Sequence, residues 1–192
     1  MHIPRTMIRI VAMIAALAAA PALAQDAAAK LLRMCQACHG PDGNSRNPQY
    51  PVIAGQPMIY TFLRLKQLQQ QIENPEMTPI ARSLSDKDVE WLATYFSGKK
   101  HEPGLAGFDA TRAERGKQLA ARLGCAQCHQ ADYAGANQMP RLAGQHASYL
   151  VAQMQLILAN RRSDDNGNMV DMLRRIQPQD IEDLSHYFAS LP

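Results

Sequence analysis

Beyond its first two dozen residues the chain has no apolar run approaching the roughly 20 residues needed to cross a bilayer. A polytopic membrane protein is excluded. No stretch alternates apolar and polar residues over the length of a strand, so the periodicity argues against sheet architectures and for helices. Neither sign of charge dominates. Setting aside Arg5 and Arg9 of the leader leaves 18 basic side chains against 17 acidic ones, a net charge of about +1. That balance gives no argument for nucleic acid or a strongly charged partner, and no nucleic acid is expected. Cysteine is scarce too: the 192 residues hold four, and all of them fall in two short clusters.

The leader is the one long apolar segment. Arg5 and Arg9 precede the run from Ile10 to Ala20, and Pro21-Ala22-Leu23-Ala24 forms a small-residue cleavage site. Residues 1–24 are therefore expected to be a signal peptide removed after Ala24, which sends the mature chain to the periplasm. Position 25 is glutamine, so the cysteine of a lipid anchor is missing.

The two cysteine clusters are Cys35-Gln36-Ala37-Cys38-His39 and Cys125-Ala126-Gln127-Cys128-His129. Each is C-x-x-C-H, the attachment signature of c-type haem. Two thiols one helical turn apart can add to the two vinyl groups of one porphyrin, and the adjacent histidine then lies under the iron. Disulfides are available in an oxidising compartment, but they leave the two histidines unexplained. One compact zinc site is excluded because the pairs lie about 90 residues apart. Two covalent haem c groups, one per motif, are expected.

The same spacing governs the rest of the chain. Pro51-Val52-Ile53-Ala54-Gly55-Gln56 returns as Pro140-Arg141-Leu142-Ala143-Gly144-Gln145, Tyr60 as Tyr149, and Tyr95-Phe96 as Tyr187-Phe188. Met77 lies 11 residues before Asp88, as Met169 does before Asp180. A period that long is a small domain written twice. The boundaries predicted are 25–98 and 111–192, with a linker at 99–110. Within the first half, helices are expected from Asp26 to Cys38, from Pro57 with Met58, Ile59, Phe62, Leu63 and Leu68 as its apolar stripe, and from an N-cap at Ser85. The second half is expected to start with a capping box, Thr111-x-x-Glu114. Its middle helix carries Leu150, Met154 and Ile157, and its last enters at Pro178 to bury Ile181, Leu184 and Phe188. Domains of about 75–90 residues are marginal on apolar burial alone, so each half should depend on its haem for a core.

His39 and His129 are the expected fifth ligands. Met77 and Met169 are the candidates for the sixth position because they occupy equivalent places in both repeats, and Met172 competes with Met169. A thioether ligand favours ferrous iron and closes the site to small molecules. Pro51 and Pro140 follow the two histidines by 12 and 11 residues. Their carbonyls either accept the histidine Nδ1–H or merely make a turn. Tyr60 and Tyr149 are candidates for bonds to haem propionates. His101, His146 and His186 read as surface or satisfied histidines, and Arg161-Arg162 and Arg174-Arg175 as solvated faces or weak docking patches.

Together these motifs make the chain resemble the di-haem cytochrome c4 family over nearly its whole length after the leader. The resemblance rests on the two C-x-x-C-H starts, the two Pro-x-x-Ala-Gly-Gln segments, and Met77-x-x-x-Ala81 ahead of Ser85-Asp86-x-Asp88. It departs at Gln130, where the first repeat has Gly40, and at Gln177-Pro178 before Asp180. It implies an all-α fold of two tandem cytochrome c-like domains related by a pseudo-twofold axis, with propionates near their interface. Cys35, Cys38, His39 and Met77 would hold one haem, and Cys125, Cys128, His129 and Met169 the other. The implied function is that of an electron carrier, not an enzyme, between a quinol-oxidising complex or a dehydrogenase and a terminal oxidase. Its partners would be redox proteins, with room for peripheral contact with the inner membrane. The alternative is a di-haem subunit of a flavin-dependent sulfide dehydrogenase or a similar complex. A peroxidase ranks last, since neither repeat offers a distal histidine.

Overall fold

The computed structural model describes residues 28–70, 74–102, 107–163 and 168–192. The expected leader lies outside the described residues, as does part of the loop before Met169. Among those described, all regular structure is helical, apart from an isolated bridge between Ala136 and Met139. The first half holds α1 (28–39), α2 (Met58–Gln70), α3 (Met77–Arg82) and α4 (Asp86–Ser97). The second holds α5 (Ala110–Leu123), α6 (Ala126–His129), α7 (Ala147–Leu158), α8 (Asn168–Leu173) and α9 (Pro178–Ser190).

Local chemistry explains most of these ends. The Ser85 hydroxyl accepts the Asp88 N–H, while the Asp88 carboxylate accepts the Ser85 N–H at 2.9 Å, so two orphan donors of α4 are satisfied together. Behind that cap Val89, Leu92, Ala93 and Phe96 are all buried. Helix α9 starts at Pro178 and buries Ile181, Leu184 and Phe188, as its periodicity predicts. The capping box expected at Thr111 is not formed. Asp109 caps α5 instead, accepting the Arg112 N–H at 2.9 Å, and Thr111 lies inside the helix. A carboxylate two residues upstream is a charged acceptor at the positive end of the helix and defines its start.

Each half has its own core. Leu84, Val89, Leu92 and Phe96 form the first, with Leu31, Leu32, Cys35, Phe62 and Leu65 packed against them. Met58 and Ile59 are 42% exposed, contrary to the stripe expected of them. Helix α2 meets this core only from Phe62 onward, and its first turn is turned toward the second half, where the Tyr60 N–H donates to the Asn137 carbonyl at 3.0 Å. The second core gathers Leu119, Tyr133, Leu150, Met154, Leu173, Ile181, Leu184 and Phe188. Helices α5 and α9 cross closely there: a Cβ on Gly116 would fall 2.0 Å from the Asp183 carbonyl oxygen.

The repeats share one turn in detail. The Gly43 N–H donates to the Gly40 carbonyl at 3.2 Å, and the Tyr133 N–H to the Gln130 carbonyl at 3.1 Å. Gly40 and Gly43 have φ of 85° and 90°, whereas Gln130 and Tyr133 hold φ of 72° and 56° at the equivalent places. The second repeat thus keeps the glycine backbone without the glycines.

The two halves meet through an exchange that is itself repeated. The Gln145 side chain accepts the Val52 N–H at 2.9 Å and donates to the Val52 carbonyl at 2.8 Å. The Gln56 side chain accepts the Arg141 N–H and donates to the Arg141 carbonyl, both at 3.0 Å. His146 Nε2 donates to the Ser45 carbonyl at 2.9 Å, and the Ser148 hydroxyl to the Pro48 carbonyl at 3.1 Å. The linker is fastened by Asn44, which donates to the Lys100 carbonyl and accepts the Glu102 N–H. His101 lies against both Gly55 and Gly144.

Candidate cofactor sites

Helix α1 runs through the first motif, placing Cys35 and Cys38 a turn apart and His39 at its last residue. The second motif occupies α6 and the residue before it, after α5 has closed on Gly124. No cysteine is paired with another; burial raises the thiols of Cys35 and Cys125, and Cys128 is exposed. Among the described residues no three His, Cys, Asp or Glu side chains converge as a metal-ion cluster, so the motifs are not parts of a shared site of that kind.

The histidines decide what the motifs can hold. Each is 5% exposed. His39 Nδ1 stands 2.9 Å from the Pro51 carbonyl oxygen, and His129 Nδ1 stands 3.0 Å from that of Pro140. A carbonyl only accepts, so the proton is on Nδ1 in both rings and the Nε2 lone pair is free for a metal. Burial pushes both imidazoles below the ordinary value, with the carbonyl bond opposing it, which keeps them neutral as a metal ligand requires. The prolines therefore do more than turn the chain.

Met77 is half-buried at the first position of α3, its N–H accepted by Asn74 Oδ1 at 2.8 Å. Met169 is half-buried near the start of α8 and packs against the second core. The residue four after each is buried, Ala81 in one helix and Leu173 in the other. Met172 is also half-buried but sits at the register of Ile80.

These groups fit a thioether-bound haem: two thiols spaced by a turn, a neutral histidine with a free Nε2, and a half-buried methionine on a separate helix. A cytochrome c4 of Thiocapsa roseopersicina is 36% identical over 189 residues, spanning 91% of this chain and 96% of that one. The chain belongs to the cytochrome c4 family. The crystal structure of reduced recombinant cytochrome c4 from Pseudomonas stutzeri matches with a TM-score of 0.77 at 31% identity, covering 87% of this chain and 98% of the other. Family models agree by halves: residues 22–96 match cytochrome c oxidase, cbb3-type, subunit III, and residues 113–192 match cytochrome c. A thiosulfate dehydrogenase of Marichromatium purpuratum matches at a TM-score of 0.74 and 26% identity, across 82% of this chain and 36% of that one. Membership makes the protein a di-haem electron-transfer cytochrome of two cytochrome c domains, with covalent haem c, and a carrier rather than an enzyme.

Other residues lie where the sequence does not place them. Arg162 is no solvated basic residue: it donates to the Tyr60 hydroxyl and to Gln153 Oε1, each at 3.0 Å. Tyr60 lies beside Tyr149, whose phenol burial pushes up. His101 is no surface histidine, since both ring nitrogens are buried, and burial with the Arg141 charge pushes it down to about 4. His146 is buried and satisfied by Ser45, and His186 Nδ1 accepts the Asp109 N–H at 3.1 Å. The exchange by Gln56 and Gln145 went unread, although its signal, a glutamine closing Pro-x-x-Ala-Gly-Gln in both repeats, stood in the sequence.

Proposed function

We propose that the protein is a periplasmic carrier with two haems, one per repeat, drawing electrons from a quinol-oxidising complex or a dehydrogenase and delivering them to a terminal oxidase or a similar acceptor. The observation that carries this is the repeated pair of histidines, each with its Nδ1 proton committed to a proline carbonyl and its Nε2 free. Cys35, Cys38, His39 and Met77 would hold the first haem, the cysteines through its vinyl groups and His39 and Met77 as donors to its iron. Cys125, Cys128, His129 and Met169 would hold the second. The equal offsets from Met77 to Ala81 and from Met169 to Leu173 favour Met169 over Met172. Bound haem supplies the one-electron couple. The protein's part is to orient the histidine, present the thioether and keep water off the iron. Tyr60, Tyr149 and Arg162 put phenol and guanidinium donors at the boundary between repeats, suited to haem carboxylates. Residues 1–24 act in this reading as the export signal, and residues 99–110 as the linker between domains 25–98 and 111–192.

Acid–acetone treatment of the purified protein should leave haem on the chain at two per molecule. One haem per chain, or haem in the organic phase, would end the reading. A second reading, an electron-accepting subunit of a dehydrogenase complex, draws on the likeness to the thiosulfate dehydrogenase, in which a unit of this kind is part of a longer chain. A stoichiometric partner retained through purification would favour it over a free carrier.

A further inference from the structure

The two hydrogen-bond systems described above meet on the same two peptide groups. The carbonyl that accepts from His39 belongs to Pro51, and the next N–H along the chain is that of Val52, so both sit on one peptide group. That N–H donates to Gln145 of the other repeat at 2.9 Å. The mirror holds as well: the Pro140 carbonyl accepts from His129, and the Arg141 N–H on the same peptide donates to Gln56 at 3.0 Å. His39, Val52, Gln56, His129 and Gln145 are all buried and Pro51, Pro140 and Arg141 are half-buried, so both chains of bonds run largely away from water.

We propose that Gln56 and Gln145 are positioning residues acting across the domain boundary, each setting the basicity and orientation of the axial histidine in the opposite repeat. This rests on the reading of His39 and His129 as axial ligands. A peptide whose N–H is engaged has a more negative carbonyl, and each link in such a chain strengthens the next by roughly 10–30%. The Pro51 carbonyl therefore draws harder on the His39 Nδ1–H, Nε2 becomes a stronger donor, and ferric iron is favoured. Gln145 consequently lowers the potential of the first haem, and Gln56 lowers that of the second. The second contact of each amide, from Nε2 to the carbonyl of Val52 or Arg141, fixes the side chain so that Oε1 faces the N–H.

The test uses the full-length holoprotein and the variants Gln145→Met and Gln56→Met, whose side chains fill similar space but make neither backbone bond. The two one-electron steps are assigned to individual haems with Met77→Ala and Met169→Ala backgrounds. Gln145→Met should raise the ferrous-to-ferric ratio of the first haem about threefold at fixed ambient potential, equivalent to about 28 mV at 59 mV per tenfold for one electron, and leave the second unmoved. Gln56→Met should do the reverse. The His39 Nδ1 proton of the reduced protein should exchange faster in Gln145→Met than in Gln56→Met. Gln145→Glu and Gln56→Glu, which keep the acceptor and add charge, should shift the opposite haem downward and provide the reading where a methionine variant fails to assemble. Shifts confined to the variant's own repeat, equal shifts at both haems, or no shift with both haems still six-coordinate would overturn the proposal. If His39→Ala left the first haem's axial spectrum unchanged, the ligand reading would fall, and this inference with it.

Discussion

Replacing Gln130 by glycine should stabilise the protein. Gln130 holds φ 72° and ψ 162° immediately after the second motif, a region of backbone space that is nearly glycine's alone. Holding a side-chain-bearing residue there costs about 1–3 kcal/mol. Glycine removes that cost but adds about 0.5–1 kcal/mol of conformational entropy to the unfolded chain. Gln130 is exposed, so little packing is lost with its side chain. The difference is a gain of about 1 kcal/mol, or a rise of roughly 4–8 °C in Tm for a domain of this size. The converse change in the first repeat has no such reserve. A Cβ on Gly40, at φ 85°, would meet the Asn44 carbonyl oxygen at 2.8 Å, so Gly40→Ala should destabilise its own half by at least as much. Thermal and urea unfolding of the holoprotein, followed by far-ultraviolet dichroism and by the haem bands, would measure both. A Gln130→Gly variant that is unchanged or less stable would refute the strain argument.

Gly116→Ala should cost about 2 kcal/mol: overpacking at a Cβ 2.0 Å from the Asp183 carbonyl loses about 3, and improved helix propensity returns about 1; an increase in urea midpoint would show that the helices part freely. Arg115 grips the nearly buried Asp183 carboxylate through two bonds of 2.6 and 2.7 Å and holds it below the usual carboxylate range, against the pull of burial. The stabilisation is therefore present above about pH 4 and lost as pH falls through the depressed value, so Asp183→Asn should cost about 2 kcal/mol at neutral pH and progressively less in acid unfolding below pH 4. His101, held neutral down to about 4 against an ordinary value of 6.5, binds its proton more readily when unfolded, so stability should fall as pH drops between those values. His101→Gln should flatten that slope, and an unchanged slope would assign it elsewhere. Met169→Ala should open the second haem to carbon monoxide in the reduced protein and lower its potential, as Met77→Ala should for the first; the same behaviour from Met172→Ala instead would overturn the register.

Local chemistry was readable along the chain. The Ser85 cap and the buried stripes of α4 and α9 depend on neighbours three or four residues away, and they stand as expected. The Thr111 box failed within the same range, because two acceptors two residues apart compete for one helix start and the charged Asp109 wins. The proline carbonyls were half legible: the spacing of 12 and 11 residues suggested them, but only the fold brings Pro51 and Pro140 to the imidazoles. What escaped was contact between distant residues. Arg162 reaches Tyr60 across 102 positions and Arg115 reaches Asp183 across 68, with nothing local to mark either pair. His101 read as a linker residue because nothing in a sequence shows two glycines folding around it.

The exchange of Gln56 and Gln145 has the symmetry of a homodimer contact, in which one residue of each copy meets the same backbone position of the other. Two separate molecules of a single repeat possess everything the contact requires. What the covalent join contributes is proximity, since residues 98–109 between α4 and α5 keep the partner at an effective concentration on the order of millimolar. A contact of modest strength then stays closed at any dilution of the protein. Joined in this way, the copies need not be identical, and one carries Gly40 and Gly43 where the other carries Gln130 and Tyr133 on the same backbone.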